Sequence, residues 1–251
     1  MMFLRTLIAV LIFSAVPLIS QASPDDMAIG IASDHIDITV GFTGSSIELF
    51  GDRRDVRSDI AIVVEGPEKN VTIWKKDRVM GTWMNRYNAK FKDMPVYYHY
   101  AISAETIDEK LKQVMQERAI GHEALFAKVN GKKAKKKKNI EVFQKALVEK
   151  SSVLGTYFEQ PAKIKFFNDY FFRVSFPIPP SAPTGNYKIR SYLIKDGEVL
   201  EDTMNLLKVE QVGLNAFIYK SAHNYSFIYA VICIGIALFS GWLVSVLRVK
   251  P

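Results

Sequence analysis

Cysteine is nearly missing from this chain. The one residue, Cys233, sits in the most apolar stretch, so no disulfide can staple the rest. The roughly 200 residues before that stretch must fold on a hydrophobic core, which a chain of that length can do. The signatures of catalysis are missing too. There is no HExxH or CxxC, no GxSxG, no P-loop and no dinucleotide fingerprint. The four histidines, His35, His99, His122 and His223, are not spaced as metal ligands, and scattered Ser, His and Asp residues do not define a triad. The expectation is a protein with no catalytic residue, no metal and no cofactor, hence not an enzyme; an envelope enzyme is kept only as a third class of reading.

One-sided charge is also lacking where it would matter. The chain carries a net +7. Setting aside Arg5, Arg248 and Lys250, which flank apolar segments, leaves 30 basic residues against 26 acidic ones. No nucleic acid partner is expected of so mild a balance, and the compartment inferred below argues the same way.

What the sequence has instead is one long uncharged run, Ser226 to Leu247, SFIYAVICIGIALFSGWLVSVL. At about 1.5 Å of rise per residue, a helix of that length measures about 33 Å, enough to cross a hydrocarbon core of roughly 30 Å. A shorter apolar run, Leu7 to Val16, follows Arg5 and precedes Pro17, Ser20 and Ala22. That is the layout of a signal peptide over residues 1–22, cleaved after Ala22; the alternative, an uncleaved N-terminal anchor, has the short run and its proline against it. The expected organisation is then an exported domain over 23–224, a transmembrane helix over 225–247 and a tail over 248–251. Arg248 and Lys250 put that tail on the cytoplasmic side by the positive-inside rule.

The exported segment reads as mainly β. Ile36, Ile38, Val40 and Phe42 alternate with Asp37 and Thr39, and Ile47 and Leu49 repeat the alternation until Gly51 and Asp52 end it. Ile60, Ile62 and Val64 stop at Gly66 and Pro67; Val71 and Ile73 begin a further strand, and Val79 to Met84 another. Phe172, Val174 and Phe176 mark a later strand. Asp196 and Gly197 join two apolar runs as a tight hairpin, since both positions accept positive φ. Short strands with Gly and Pro punctuation predict an antiparallel, immunoglobulin-like β-sandwich.

Between about residues 104 and 150 the period changes from strand to helix. Thr106 and Glu109 read as a capping box, and Ile107, Leu111, Val114, Leu125 and Val129 recur at helical steps, with Gly121 as a break. Ile140, Phe143 and Leu147 mark a second helix capped by Asn139. The expectation is a helical hairpin inserted between two groups of strands, with the Lys132 to Lys138 tract at its turn. Past Gln211 the last strand is expected to run on towards the membrane through Lys220, His223 and Tyr225.

Four stretches, GFTGSSIELFG, EGPEKNVTIWKKDRVMGTWMN, FKDMPVYYHYAIS and PSAPTGNYKIRSYLIKDG, together resemble a family of alphaproteobacterial single-span proteins, predicted transmembrane proteins of uncharacterised function. The similarity covers nearly the whole mature chain. It implies the topology above and a place in a Gram-negative inner membrane. It implies no mechanism, because none of these motifs has an assigned chemistry.

Two sets of residues are candidates for function. In the span, Cys233, Ala237, Gly241 and Ser245 recur every four residues and line small side chains along one helical face. In lipid such a face lets another helix approach closely, although small residues are also common in spans generally. In the strand pair, Trp74, Lys75, Lys76, Arg78 and Trp83 form a basic and aromatic cluster. Period two puts Trp74 and Lys76 opposite Val71 and Ile73, hence outward, where they suit an anionic or glycan ligand or a protein partner. The alternative places the tryptophans in the core and the charges at a sheet edge. The Lys132 to Lys138 tract suits anionic headgroups or, as lysine runs usually do, a solvated loop. His99, among Tyr97, Tyr98 and Tyr100, reads as a packed patch.

The resulting expectation is a non-catalytic, membrane-anchored periplasmic accessory or assembly subunit of an inner-membrane system, a transport system being one case. Its partners would be the lipid bilayer and either a multipass inner-membrane protein or a second copy of itself. The alternative is a periplasmic ligand-binding or sensing module for an anionic or glycan ligand.

Overall fold

The described residues, 27–130 and 140–247 of this computed structural model, are mainly β, with several sheets and one C-terminal apolar helix. In chain order they form β1 (Met27–Ile31), β2 (His35–Ile38), β3 (Ser45–Arg53), β4 (Asp59–Glu65), β5 (Glu68–Val79), β6 (Thr82–Pro95), β7 (Tyr98–Ile102), α1 (Glu109–Glu117), α2 (His122–Asn130), α3 (Ile140–Val153), β8 (Lys165–Phe166), β9 (Phe171–Ile178), β10 (Gly185–Lys195), β11 (Glu198–Gln211), α4 (Leu214–Asn224) and α5 (Ser226–Leu247). The signal peptide read over 1–22, the Lys132 to Lys138 tract, the Asn139 cap and the tail 248–251 lie outside the described residues.

One antiparallel sheet has the order β1-β3-β9-β8. A second has the order β2-β11-β10-β4-β7 and is antiparallel except where β2 runs parallel to β11; β5 and β6 make a two-stranded ribbon of their own. β9, FFRVSFPI, is buried at every second residue, as a strand with one face in the core and one in water must be. Its Phe172, Val174 and Phe176 share a core with Ile47 and Leu49 of β3 and with Ile60, Ile62, Val64, Ile189 and Leu193 of the second sheet, so the two sheets pack as a β-sandwich.

β4 is different, because DIAIVVE is apolar at five consecutive positions. Ile60, Ile62 and Val64 enter the sandwich core, while Ala61 and Val63 enter a second core on the opposite face of the sheet. Leu111, Val114, Leu125 and Leu147 of the three helices cover that face together with Ala89, Phe91 and Met94 of β6. The second sheet is thus the middle of three layers, and each large apolar side chain buried there contributes about 1.5–3 kcal/mol. Asp196 and Gly197 take φ of 52° and 85°, the hairpin geometry that Asp-Gly favours. Gly197 is also pressed against α1, where a Cβ would lie 2.5 Å from Lys110 Cβ.

Several boundaries differ from the sequence expectation. The strand at His35 ends at Ile38: the Phe42 amide donates to the Thr39 carbonyl in a turn, and Val40 is exposed. β3 runs through Gly51 and Asp52 to Arg53, and Gly51 lies between two neighbouring strands where a Cβ would be 2.6 Å from Phe172 Cζ and 2.7 Å from the Ala28 carbonyl oxygen. The helical insert has three helices rather than two. α1 is capped by Asp108, not Thr106, because the Asp108 carboxylate accepts from the Leu111 amide at 2.7 Å and leaves Ile107 exposed ahead of the helix. Ala119 at φ 57° and Gly121 at φ 94° turn the chain into α2. The last strand does not run on to the membrane: Gly213, at φ 95°, releases the chain from the sheet into α4, eleven residues long.

Candidate functional site

The β5–β6 ribbon carries the aromatic and basic cluster, and its root explains why it stands where it does. Val71 and Ile73 are half-buried, and Ala89, Phe91 and Met94 are buried against the helices. Beyond Ile73 and Ala89 the ribbon is largely exposed on both faces, up to a two-residue turn of Met80 (φ 50°) and Gly81 (φ 86°). Cross-strand register sets Arg78 opposite Trp83 and Trp74 opposite Asn88, so Trp74, Lys76, Arg78 and Trp83 share one face. Lys75 pairs with Tyr87 and belongs to the other face, and Arg86 is the extra residue of a bulge between that pair and the next, Lys76 with Asn85.

Trp74 is 52% exposed and Trp83 67%, so neither fills the core. From Trp74 to Asn88 there are four basic residues and one acid, Asp77, which Arg86 pairs at 3.2 Å. The Arg86 guanidinium also lies 5.3 Å from the Tyr87 ring centroid, and Arg78 Nε donates to the Gly81 carbonyl at 3.3 Å, bracing the turn. Met80, Met84 and Tyr87 are exposed on the same distal half. This surface offers aromatic faces and thioethers between cations, the chemistry of an anchor for an acidic or amphipathic protein surface or for an anion. Sequence reasoning missed Met80, Met84, Arg86 and Tyr87. The available signal was Gly81 at the second position of a tight turn, and it was obscured by the methionine before it, a residue that seldom takes positive φ.

The histidines and tyrosines at the root of the ribbon act as packing. Tyr157 Oη donates to the Pro95 carbonyl at 2.5 Å, Tyr97 Oη to the Pro177 carbonyl at 2.8 Å, and Tyr98 Oη to the Ala119 carbonyl at 2.9 Å while accepting from the Gly121 amide at 2.7 Å. Burial pushes all three phenols well above their ordinary range. His99, 4% exposed, stacks on Phe158 with ring centroids 4.0 Å apart, and burial pulls its pKa down to about 4. His122 sets Nε2 2.7 Å from the Phe158 carbonyl, whereas His35 and His223 are exposed on other parts of the chain.

The buried Glu65 carboxylate holds Arg190 at 2.5 Å and Lys128 at 3.7 Å beside a cleft of about 210 Å³ between the ribbon root and α2. Among the described residues, no three His, Cys, Asp or Glu side chains converge as metal ligands.

α5 is a continuous helix of 22 residues, with a mean hydropathy of 2.4 over an 18-residue stretch and no residue of it buried. Cys233, Ala237, Gly241 and Ser245 lie along it, all exposed; a Cβ on Gly241 would meet nothing within 4 Å. A step of four residues advances about 40° past a full turn, so the row winds slowly round the helix as a groove.

Residues 26–249 match a family described as "Putative transmembrane protein (Alph_Pro_TM)". With that match, the single C-terminal apolar helix fits a single-pass membrane protein. No curated protein matches the chain. Among solved structures, the CooA pilin subunit from enterotoxigenic Escherichia coli is similar at 7% identity, over 74% of this chain and 97% of that one, with a TM-score of 0.24. A likeness at that score carries no argument.

Proposed function

We propose, on the premise that the chain belongs to this transmembrane family, that it is a non-catalytic accessory or assembly subunit of an inner-membrane system, a transport system being one case. Its β-sandwich, which we take to be immunoglobulin-like, stands in the periplasm, held by α5, and Arg248 and Lys250 lie in the cytoplasm. The observation that carries this reading is the distal half of the β5–β6 ribbon, exposed on both faces and yet rich in Trp, Tyr and Met. An isolated two-stranded ribbon is marginally stable in water, and apolar surface of this kind is seldom left bare without a partner. The small-residue groove of α5 supplies a second contact, within the bilayer, for a multipass protein or another copy.

The test is the triple substitution Trp83→Ala, Lys76→Ala and Arg78→Ala in the full chain, purified in mild detergent. Loss of a stoichiometric membrane protein with an unchanged unfolding midpoint is the expected result; retention of that protein by the variant would refute it. A second reading is favoured by Trp74, Lys76, Arg78 and Trp83 sharing one face, which suits an anionic or glycan ligand. A ligand that raises the midpoint of the wild type and not of the triple variant would establish that reading instead.

A further inference from the structure

α4 presents two opposed faces. On one, Ala216 is buried against the end of the second sheet and Lys220 Nζ reaches Glu210 Oε2 at 3.2 Å, while Lys208 holds the other oxygen of the same carboxylate. A cleft of about 270 Å³ between α4 and the ends of β10 and β11 marks this side. On the opposite face, Phe217 and Ile218 lie three and four residues after Leu214 and all three are exposed, with Tyr225 continuing the line just past the helix. That apolar line is unpartnered by any described residue of the chain.

We propose that this face lies in the headgroup region of the bilayer leaflet on the domain's side, making α4 an interfacial helix that clamps the β-sandwich against the membrane. The occupant follows from continuity. α5 begins at Ser226, one residue after the C-cap Tyr225, so the end of α4 is already at the edge of the hydrocarbon core. Tyr225, Phe227 and Tyr229 cluster around that junction, and amphipathic aromatic rings favour the membrane–water boundary. Leu214, Phe217 and Ile218 then replace water with acyl chains, while the Glu210 pairs keep α4 fixed to the sheet.

The clamp also sets which end of the domain meets the membrane. β11 ends at Gln211, its Val209 pairs with Gly185, and Lys188 of β10 pairs Glu68 at 3.1 Å, where the β5–β6 ribbon begins. The ribbon therefore springs from the membrane-proximal end of the second sheet. The clamp itself stands whether or not that ribbon has a partner.

The experiment uses the full chain carrying Cys233→Ala, with single cysteines introduced in turn as Leu214→Cys, Phe217→Cys, Ile218→Cys and, as the control on the opposite face, His223→Cys. Each is labelled with a nitrobenzoxadiazole probe and reconstituted at one chain per nanodisc of phosphatidylcholine and phosphatidylglycerol. The expected result is blue-shifted emission and several-fold stronger quenching by shallow doxyl lipids at 214, 217 and 218 than at 223, with iodide quenching in the reverse order. Solvent-like behaviour at all four positions would overturn the proposal. So would protection that arises only with two chains per disc, which would assign the face to a second copy.

Discussion

His99, on β7 against Phe158 and Phe176, gives the sharpest test of the packing at this edge of the sandwich core. The folded chain keeps its ring neutral down to about pH 4, first because it is buried, with a nearby His122 acting in the same direction and a backbone hydrogen bond to Gln160 opposing both. The unfolded chain protonates near the ordinary value of 6.5. Between those two values the unfolded state binds the extra proton. Stability from this group is therefore complete above the unfolded value and is lost as the pH falls through the window towards the folded one. From about pH 7 to about pH 5 the linkage amounts to at most about 2 kcal/mol, less whatever residual water screens at the ring edge. His99→Phe keeps a ring against Phe158 and removes the titration. Urea unfolding of both full chains in mild detergent, followed by near-ultraviolet circular dichroism of the buried tyrosines, should show the wild type losing stability over that interval and the variant losing distinctly less. Equal slopes for the two proteins would refute the assignment.

Gly51→Ala should lower stability by about 1 to 3 kcal/mol, because its Cβ would press on the Ala28 carbonyl and the buried Phe172 ring and neither can retreat from the packed core; a chemical denaturation midpoint checks it, and an unchanged midpoint would show the crossing to be looser than described. In the span, replacing Ala237 and Gly241 with Leu fills the groove, and chemical crosslinking in native membranes should then yield fewer complexes. Undiminished complexes would mean that the small residues are not the contact.

How far residues alone could be read depended on the range of the interaction that decides each feature. The extent of α5, Ser226–Leu247 against an expected 225–247, is legible because length and apolarity depend only on the local run. The Asp196–Gly197 hairpin is legible for the same reason, since the φ angles are a property of those two residues. The exposure of Trp74 and Lys76 also followed from period two. Trp83 shows where that reasoning stops: alternation within β5 already turns Lys75 to the other face, but the place of Trp83 beside Arg78 came from a cross-strand register interrupted at Arg86, which no single strand contains.

The sequence by itself determined a mainly β chain with an inserted helical segment and one apolar helix able to span a bilayer, since periodicity and hydropathy are local sums. Tertiary structure decided what those elements meet. β4 is apolar throughout because it serves two cores at once, a fact visible only when the helices and the ribbon root cover its second face. Asp108 rather than Thr106 caps α1 because its carboxylate is the one that reaches the Leu111 amide. α4 was hidden because its exposed apolar line and its buried Ala216 belong to surroundings that lie elsewhere in the chain, and a helix of eleven residues takes most of its stability from such packing.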